Sequence, residues 1–210
     1  MAVQSDYRYS LTVNGTTQFE VVRFVLKEHL SALFRLELDL ASFGSEPNFH
    51  SLIDHPATLT FWQGNETIRS VNGIITALNQ GETGFTRTRY HMVIEPSLCR
   101  AGLQTDLRIF QQQDSQKIIE TLLSKNQVPQ SQFHLQTPYW TREYCVQYRE
   151  TDLNFIQRLA AEEGSYYYFE HTNDSHILHF SNSTTLSEKK GNLVYNAMPA
   201  GQRPEAAVWH

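Results

Sequence analysis

The sequence predicts an α+β protein rich in β structure: a strand-rich first half, closed as a barrel or stacked as a sandwich, followed by a mixed α/β segment. Three observations carry this. The first hundred residues alternate apolar and polar side chains at period two, interrupted by Gly and Asn turns. After Pro96 a helical spacing appears at Ile118, Ile119, Leu122 and Leu123. Between Arg142 and His171 a strand, a capped helix, a glycine stop and an aromatic strand follow without a gap.

Taken in order, Tyr7, Tyr9, Leu11 and Val13 alternate with Arg8, Ser10 and Thr12, and Asn14-Gly15 supplies a tight-turn signal. Phe19 to Leu26 form a second, more apolar run. Phe34, Leu36, Leu38 and Leu40 alternate with Arg35, Glu37 and Asp39 as the cleanest half-buried strand. Ala57 to Trp62, Thr67 to Leu78 and Phe85 to Ile94 supply further strands, punctuated at Gly64-Asn65 and Gly81 to Gly84. Many short strands favour a closed architecture because closure removes exposed edges. Ser97 to Leu103 is expected to start a short helix, and Asp114 or Ser115 to cap a longer one that ends before Pro129. Thr137-Pro138 breaks the chain again. Tyr144, Val146 and Tyr148 then alternate with Cys145 and Gln147. Thr151 or Asp152 caps a helix carrying Leu153, Ile156, Leu159 and Ala160, and Gly164 stops it. Tyr166 to Phe169 form a strand, Thr172 to Ser175 a turn, and His176 to Phe180 the returning strand. Thr184 to Gly191 reads as a loop and Leu193 to Tyr195 as a last short strand.

At 210 residues, 40% hydrophobic and 19% charged, the chain has room for one large or two small cores. The net charge is −5, and Lys and Arg never cluster, so nothing advertises a nucleic-acid surface. No apolar run approaches the roughly 18 residues of a membrane span, and residues 1–6 carry no signal-peptide pattern. Cys99 and Cys145 lie far apart, which favours a reduced, cytoplasmic chain.

Side chains with chemical potential read mostly as scaffold. Tyr166 and Tyr168 face one side of their strand and Tyr167 and Phe169 the other, a pattern of burial on both faces rather than of a sugar or base platform. The hydroxyls then need partners, for which Glu150, Arg158 and backbone groups are candidates. His171, His176 and His179 surround one hairpin but do not converge as metal ligands must. Glu150, Asp152, Glu162 and Glu163 invite comparison with a glycosidase acid pair. Yet the first two flank a helix start, where acids favour the dipole, and adjacent helical residues diverge by about 100°. No nucleophile elbow, phosphate loop or His-Glu-x-x-His occurs. No catalytic, cofactor-binding or metal-binding residue is assigned, and no cofactor is expected.

The stretch Tyr148-Arg149-Glu150-Thr151-Asp152-Leu153-Asn154-Phe155-Ile156-Gln157-Arg158-Leu159, followed by Glu162-Glu163-Gly164 and Tyr166-Tyr167-Tyr168-Phe169-Glu170-His171, resembles the N-terminal hub region of VgrG. VgrG is the spike protein of bacterial type VI secretion systems and is similar to phage baseplate hub and late-control D proteins. Glu95-Pro96-Ser97-Leu98, Arg108-Ile109-Phe110-Gln111 and Asn196 to Trp209 resemble further segments of that family. The resemblance marks Tyr148, Arg149, Glu150, Asp152, Phe155, Arg158, Leu159, Glu163, Gly164, Tyr166, Tyr167, Tyr168 and Phe169 as a structural signature. Ser165 departs from it, standing where an apolar residue is usual, with an expected small loss of burial.

The resemblance implies a phage baseplate hub-like fold with a β-barrel over residues 1–97 and a mixed α/β segment over 98–185. Residues 186–210 would be a linker and the start of a second barrel. It implies a structural, non-enzymatic role in a secretion spike, with the Hcp tube hexamer, effectors and a tip protein as partners. The full-length family forms homotrimers. One barrel per chain gives three per trimer and not six, so trimerisation and tube docking are expected of a longer parent, and this chain is expected to be a truncated portion of it. No nucleic acid and no stable membrane association are implied. The expected location is the bacterial cytoplasm, with export by the secretion apparatus and no signal peptide. The competing readings are a phage or prophage tail baseplate hub, and a peptidoglycan hydrolase or sugar-binding module.

Overall fold

A computed structural model describes residues 7–16, 19–43, 49–183, 194–195 and 207–208. The first six strands are β1 (Tyr7–Val13), β2 (Glu20–Lys27), β3 (Arg35–Ser42), β4 (Pro56–Gln63), β5 (Glu66–Thr83) and β6 (Thr88–Glu95). They form one antiparallel sheet in the order β1-β4-β5-β6-β3-β2. The period-two pattern decides the inside. Leu11, Leu36, Leu38, Leu59, Val71, Ile75, Met92 and Ile94 are fully buried on the concave face. The sheet curls until its two edges meet through rings: Tyr9 on β1 lies 5.0 Å from Phe24 on β2, and both touch Phe61. Among the described residues β1 and β2 share no hydrogen-bonded ladder. Asn14 and Gly15 take φ of 49° and 74°, as a primed turn requires. The turn closes on a single antiparallel bridge, Val13 to Thr16, with reciprocal bonds of 2.8 and 2.9 Å, while the long ladder of β1 is made with β4. At Gly73 a Cβ would lie 2.5 Å from the Glu95 carbonyl oxygen, so the close passage of β5 over β6 needs glycine.

The second core contains two helices, α1 (Ser115–Lys125) and α2 (Asp152–Glu162), and five strands. These strands are β7 (Thr105–Asp114), β8 (Ser131–His134), β9 (Thr141–Thr151), β10 (Tyr166–His171) and β11 (His176–Ser181). Asp114 caps α1 by accepting from the Lys117 amide, and Thr151 caps α2 by accepting from the Asn154 amide. Gly164, at φ 67°, ends α2. Its amide bonds Ala161 O and that of Ser165 bonds Ala160 O, the paired bonds of a Schellman stop. Ile118, Ile119, Leu122, Phe155, Ile156, Leu159, Tyr167, Leu178 and Phe180 fill this core. The segment expected to be a short helix at Ser97 is a 3-10 turn over Ser97–Gly102. Strands β7 and β8 were not legible as strands. β7 puts charged residues inward, and β8 is four residues long and pairs in parallel with β11.

Phe169 packs against both cores, so β10 is the seam between them. The Ser31 amide donates to Tyr167 O at 2.8 Å, and Arg100 Nε reaches Asp54 at 2.8 Å. Val194–Tyr195 (β12) pairs in parallel with Ala207–Val208 (β13). The expected loop at Thr184 to Gly191, and most of the expected linker from Asn196 to Trp209, lie outside the described residues.

Candidate functional site

The exposed surface holds one feature that hydrophobicity does not explain by itself. Strands β7 and β9 form a separate two-stranded ribbon, with Leu107 opposite Tyr148, Ile109 opposite Val146 and Gln111 opposite Tyr144. The alternation read from Tyr144 to Tyr148 is present, but the apolar set faces outward. Tyr144 is 61% exposed, Tyr148 63%, Leu107 61% and Ile109 65%, while Cys145 and Gln147 are buried. Thr105, Leu107, Ile109 and Gln111 with Tyr144, Val146 and Tyr148 thus make a face without a charged side chain. Such a face has the composition of an interface core, from which charge is depleted.

The polar groups beneath explain the orientation. Asp152, 2% exposed, accepts from Lys125 Nζ at 3.0 Å, Asn126 Nδ2 at 2.8 Å and Gln147 Nε2 at 2.8 Å. Gln147 also donates to Glu150 O at 3.1 Å, so its amide is held inside and Val146 and Tyr148 must point out. Burial alone would raise the Asp152 carboxyl, but the bonds from Asn126, Gln147 and Lys125 outweigh it and hold it below the usual range. Arg108 bonds Asp106 on the inner face of β7. Arg158 on α2 clasps Glu150 at 2.7 Å, Glu162 at 2.8 Å and Val146 O at 3.0 Å. Arg142 binds Glu162 and Glu163 at 2.7 Å each, and Glu163 accepts from Ser115 at 2.6 Å. Arg149 is the extra residue of a β-bulge, at φ 51°, with its guanidinium 5.4 Å from the centre of the Tyr148 ring.

The signature residues therefore divide by place. Tyr148 lies on the exposed face and Arg149 at its rim. Glu150, Asp152, Arg158 and Glu163 form the polar clamp below it. Phe155 and Leu159 are fully buried under the ribbon, and Phe155 lies 5.8 Å from Phe110 of β7. Gly164 and Tyr166 to Phe169 sit away from the ribbon, on the seam side. Tyr167 is 1% exposed, and the other three rings are half-buried. Their hydroxyl partners differ from those expected: Tyr167 accepts from Gln157 at 2.8 Å and Tyr166 donates to Ser183 O at 3.3 Å, because Glu150 and Arg158 bind each other. Ser165 is buried and its hydroxyl bonds Tyr139, so a polar contact stands where an apolar one is usual. Leu107 and Ile109 were missed by sequence reasoning. The signal was their alternation with Asp106, Arg108 and Phe110, which inverts the usual rule. Among the described residues no group of three or more His, Cys, Asp or Glu could hold a metal ion, and no helix is long and apolar enough to cross a membrane.

Residues 27–210 match the phage tail baseplate hub (GPD) family. The chain belongs to that family. Over 208 residues, 98% of the chain, the hub sequence is 37% identical to the type VI secretion system spike protein VgrG2a of Pseudomonas aeruginosa. The match spans 25% of that relative's length. Among solved structures, an E. coli component of the type VI secretion system, itself structurally similar to bacteriophage T4 tail proteins, superposes with a TM-score of 0.80. It is 23% identical, and the match covers 89% of this chain and 52% of that one. A prophage tail protein from Shewanella oneidensis superposes with a TM-score of 0.63 at 12% identity, over 92% of this chain and 57% of that one. The hub fold is thus common to secretion spikes and phage tails.

Proposed function

We propose that this hub chain is a structural part of a type VI secretion spike and performs no catalysis of its own. The observation that carries this is the 37% identity to a spike protein across 98% of the chain, where the prophage tail protein shares 12% and the fold only. The same likeness supports a cytoplasmic origin, export through the apparatus, and assembly with the Hcp tube, effectors and a tip protein. The signature residues serve as scaffold: the α2 clamp presents the β7–β9 face. That face packs against a second copy of the chain in a homotrimer. Its five large side chains expose roughly 500 Å², against about 800 Å² per partner in a stable complex. The face is therefore one part of a larger contact, and through it alone the chain associates weakly.

The test is a chimera in which this chain replaces the matching quarter of the P. aeruginosa spike protein. Hcp release into the medium should be retained. Loss of release with the chimera correctly folded and trimeric would refute the reading and favour a phage tail origin.

A further inference from the structure

Two histidines are buried where the hairpin of β10 and β11 meets the barrel, and the clamp on the ribbon does not involve them. His171 has a side chain 6% exposed, and His176 is 8% exposed. Each uses a ring nitrogen as an acceptor for a backbone amide across the seam. The Asn72 amide of β5 donates to His171 Nδ1 at 3.1 Å, and the Ser97 amide donates to His176 Nε2 at 3.4 Å. A ring nitrogen that accepts has no proton, so both contacts require neutral imidazole. The two rings are 6.2 Å apart, and both pack on Phe34, at 4.8 Å and 5.9 Å. Asn72 is the keystone on the barrel side. Its side-chain amide donates to Thr172 O and Ser175 O of the hairpin turn, each at 2.9 Å.

We propose that His171 and His176 form an acid-sensitive latch, which holds the barrel to the α/β segment while both are neutral and releases the seam when both are protonated. Protonation removes both acceptors, leaves the Asn72 and Ser97 amides facing N–H groups, and sets two positive charges side by side against Phe34. The Ser97 hydroxyl, 3.3 Å from His176 Nε2, can accept from the protonated ring but carries no charge, and the nearest carboxylates, Glu28 and Asp54, are already paired. Glu28, from the connection after β2, lies 3.7 Å from His171 Nε2, but Arg69 of β5 already neutralises it at 2.5 Å. Arg69, Glu28 and His171 line a polar cleft of about 420 Å³ that gives solvent access to the seam. Beside His176, Asp54 is engaged by Arg100, and Asp174 lies with them on the lining of a neighbouring cleft. Glu170 turns to the other side of the hairpin, where it meets His179 at 3.0 Å.

The electrostatics agree in direction. Burial, then the neighbouring His176 and Arg69, push His171 down to about 4. Burial pushes His176 down to about 4 against a hydrogen bond to the Asn72 backbone. The ordinary value is near 6.5. The folded seam binds fewer protons than the open one between these values, so the latch is fully engaged above about 6.5 and weakens as pH falls toward 4. With both groups acting, opening becomes on the order of 10⁴-fold more favourable between pH 7 and pH 4.

Amide hydrogen exchange on the full chain tests this, measured from pH 7 to pH 4 and corrected for intrinsic exchange. Asn72, Ser97 and Ser31 should lose protection on acidification while the amides between β3 and β6 retain theirs. The double variant His171→Gln, His176→Gln keeps neutral acceptors and should abolish the acid step. Each single variant should halve its slope, which keeps the test valid if the double variant fails to fold. Seam amides protected down to pH 4, loss of barrel and seam protection together, or an unchanged acid step in the variants would each overturn the proposal.

Discussion

Replacing Asp152 tests the account of why the ribbon faces outward. The carboxylate accepts from Lys125, Asn126 and Gln147 and lies 3.9 Å from Arg108. Asp152→Ala removes all of these, but each donor keeps a second partner. Lys125 retains Asp106 at 3.3 Å, Asn126 retains Leu122 O at 2.8 Å, and Gln147 retains Glu150 O at 3.1 Å. No donor is orphaned, so the cost should fall at the low end of the range for breaking a buried pair, about 3 kcal/mol. Asp152→Asn keeps one acceptor and the volume but loses the attraction to Lys125, for about 2 kcal/mol. With a urea slope of about 3 kcal/mol per molar, the alanine variant should lower the unfolding midpoint by about 1 M at constant slope. The sign with pH follows from the lowered carboxyl: its contribution is present above the ordinary carboxylate value near 3.8 and is lost as pH falls through the folded value. Wild type should therefore show an acid loss below about pH 4 that Asp152→Asn lacks. A midpoint shift under about 0.2 M for Asp152→Ala would refute the clamp.

Three further outcomes follow. Ile109→Asp together with Tyr148→Ser should leave the fold intact by circular dichroism, because both side chains are exposed; in the chimera with the P. aeruginosa spike protein it should weaken the proposed self-association in light scattering, and an unchanged oligomer would remove the ribbon from the interface. Gly73→Ala places a Cβ 2.5 Å from the Glu95 carbonyl oxygen, so it should cost about 2 kcal/mol or more by forcing β5 from β6, read from thermal or urea unfolding. Burial pushes the Cys99 thiol up to about 11, which leaves on the order of one thiolate in a thousand or fewer near pH 7.5; labelling by iodoacetamide should be slow in the native chain and fast in denaturant, and native labelling at the denatured rate would contradict it.

Legibility tracked the direction of burial. Strand β3 was readable because Leu36, Leu38 and Leu40 point into a core and the residues between them do not. Helices α1 and α2 were readable from their caps and stripes, although Thr151 rather than Asp152 makes the cap while Asp152 turns inward. Strand β7 was illegible because its apolar side chains face out and its partner lies about forty residues away in sequence, at Tyr148 for Leu107. The signature residues were visible as a run. Their division into an exposed ring, a clamp, a core and a seam was not, since ion pairs between β9 and α2 do not announce themselves in a one-dimensional order.

By itself the sequence determined the family and every long element of the described residues except strand β7, because local periodicity, capping and the long gapless run from Tyr148 to His171 are properties of neighbours along the chain. Only the tertiary structure decided which face of the ribbon meets solvent and which histidines are forced to stay neutral. Both depend on what a side chain loses when water is removed from it, and that is set by residues distant in sequence: Lys125 and Asn126 for Asp152, and Phe34, Asn72 and Ser97 for the two histidines.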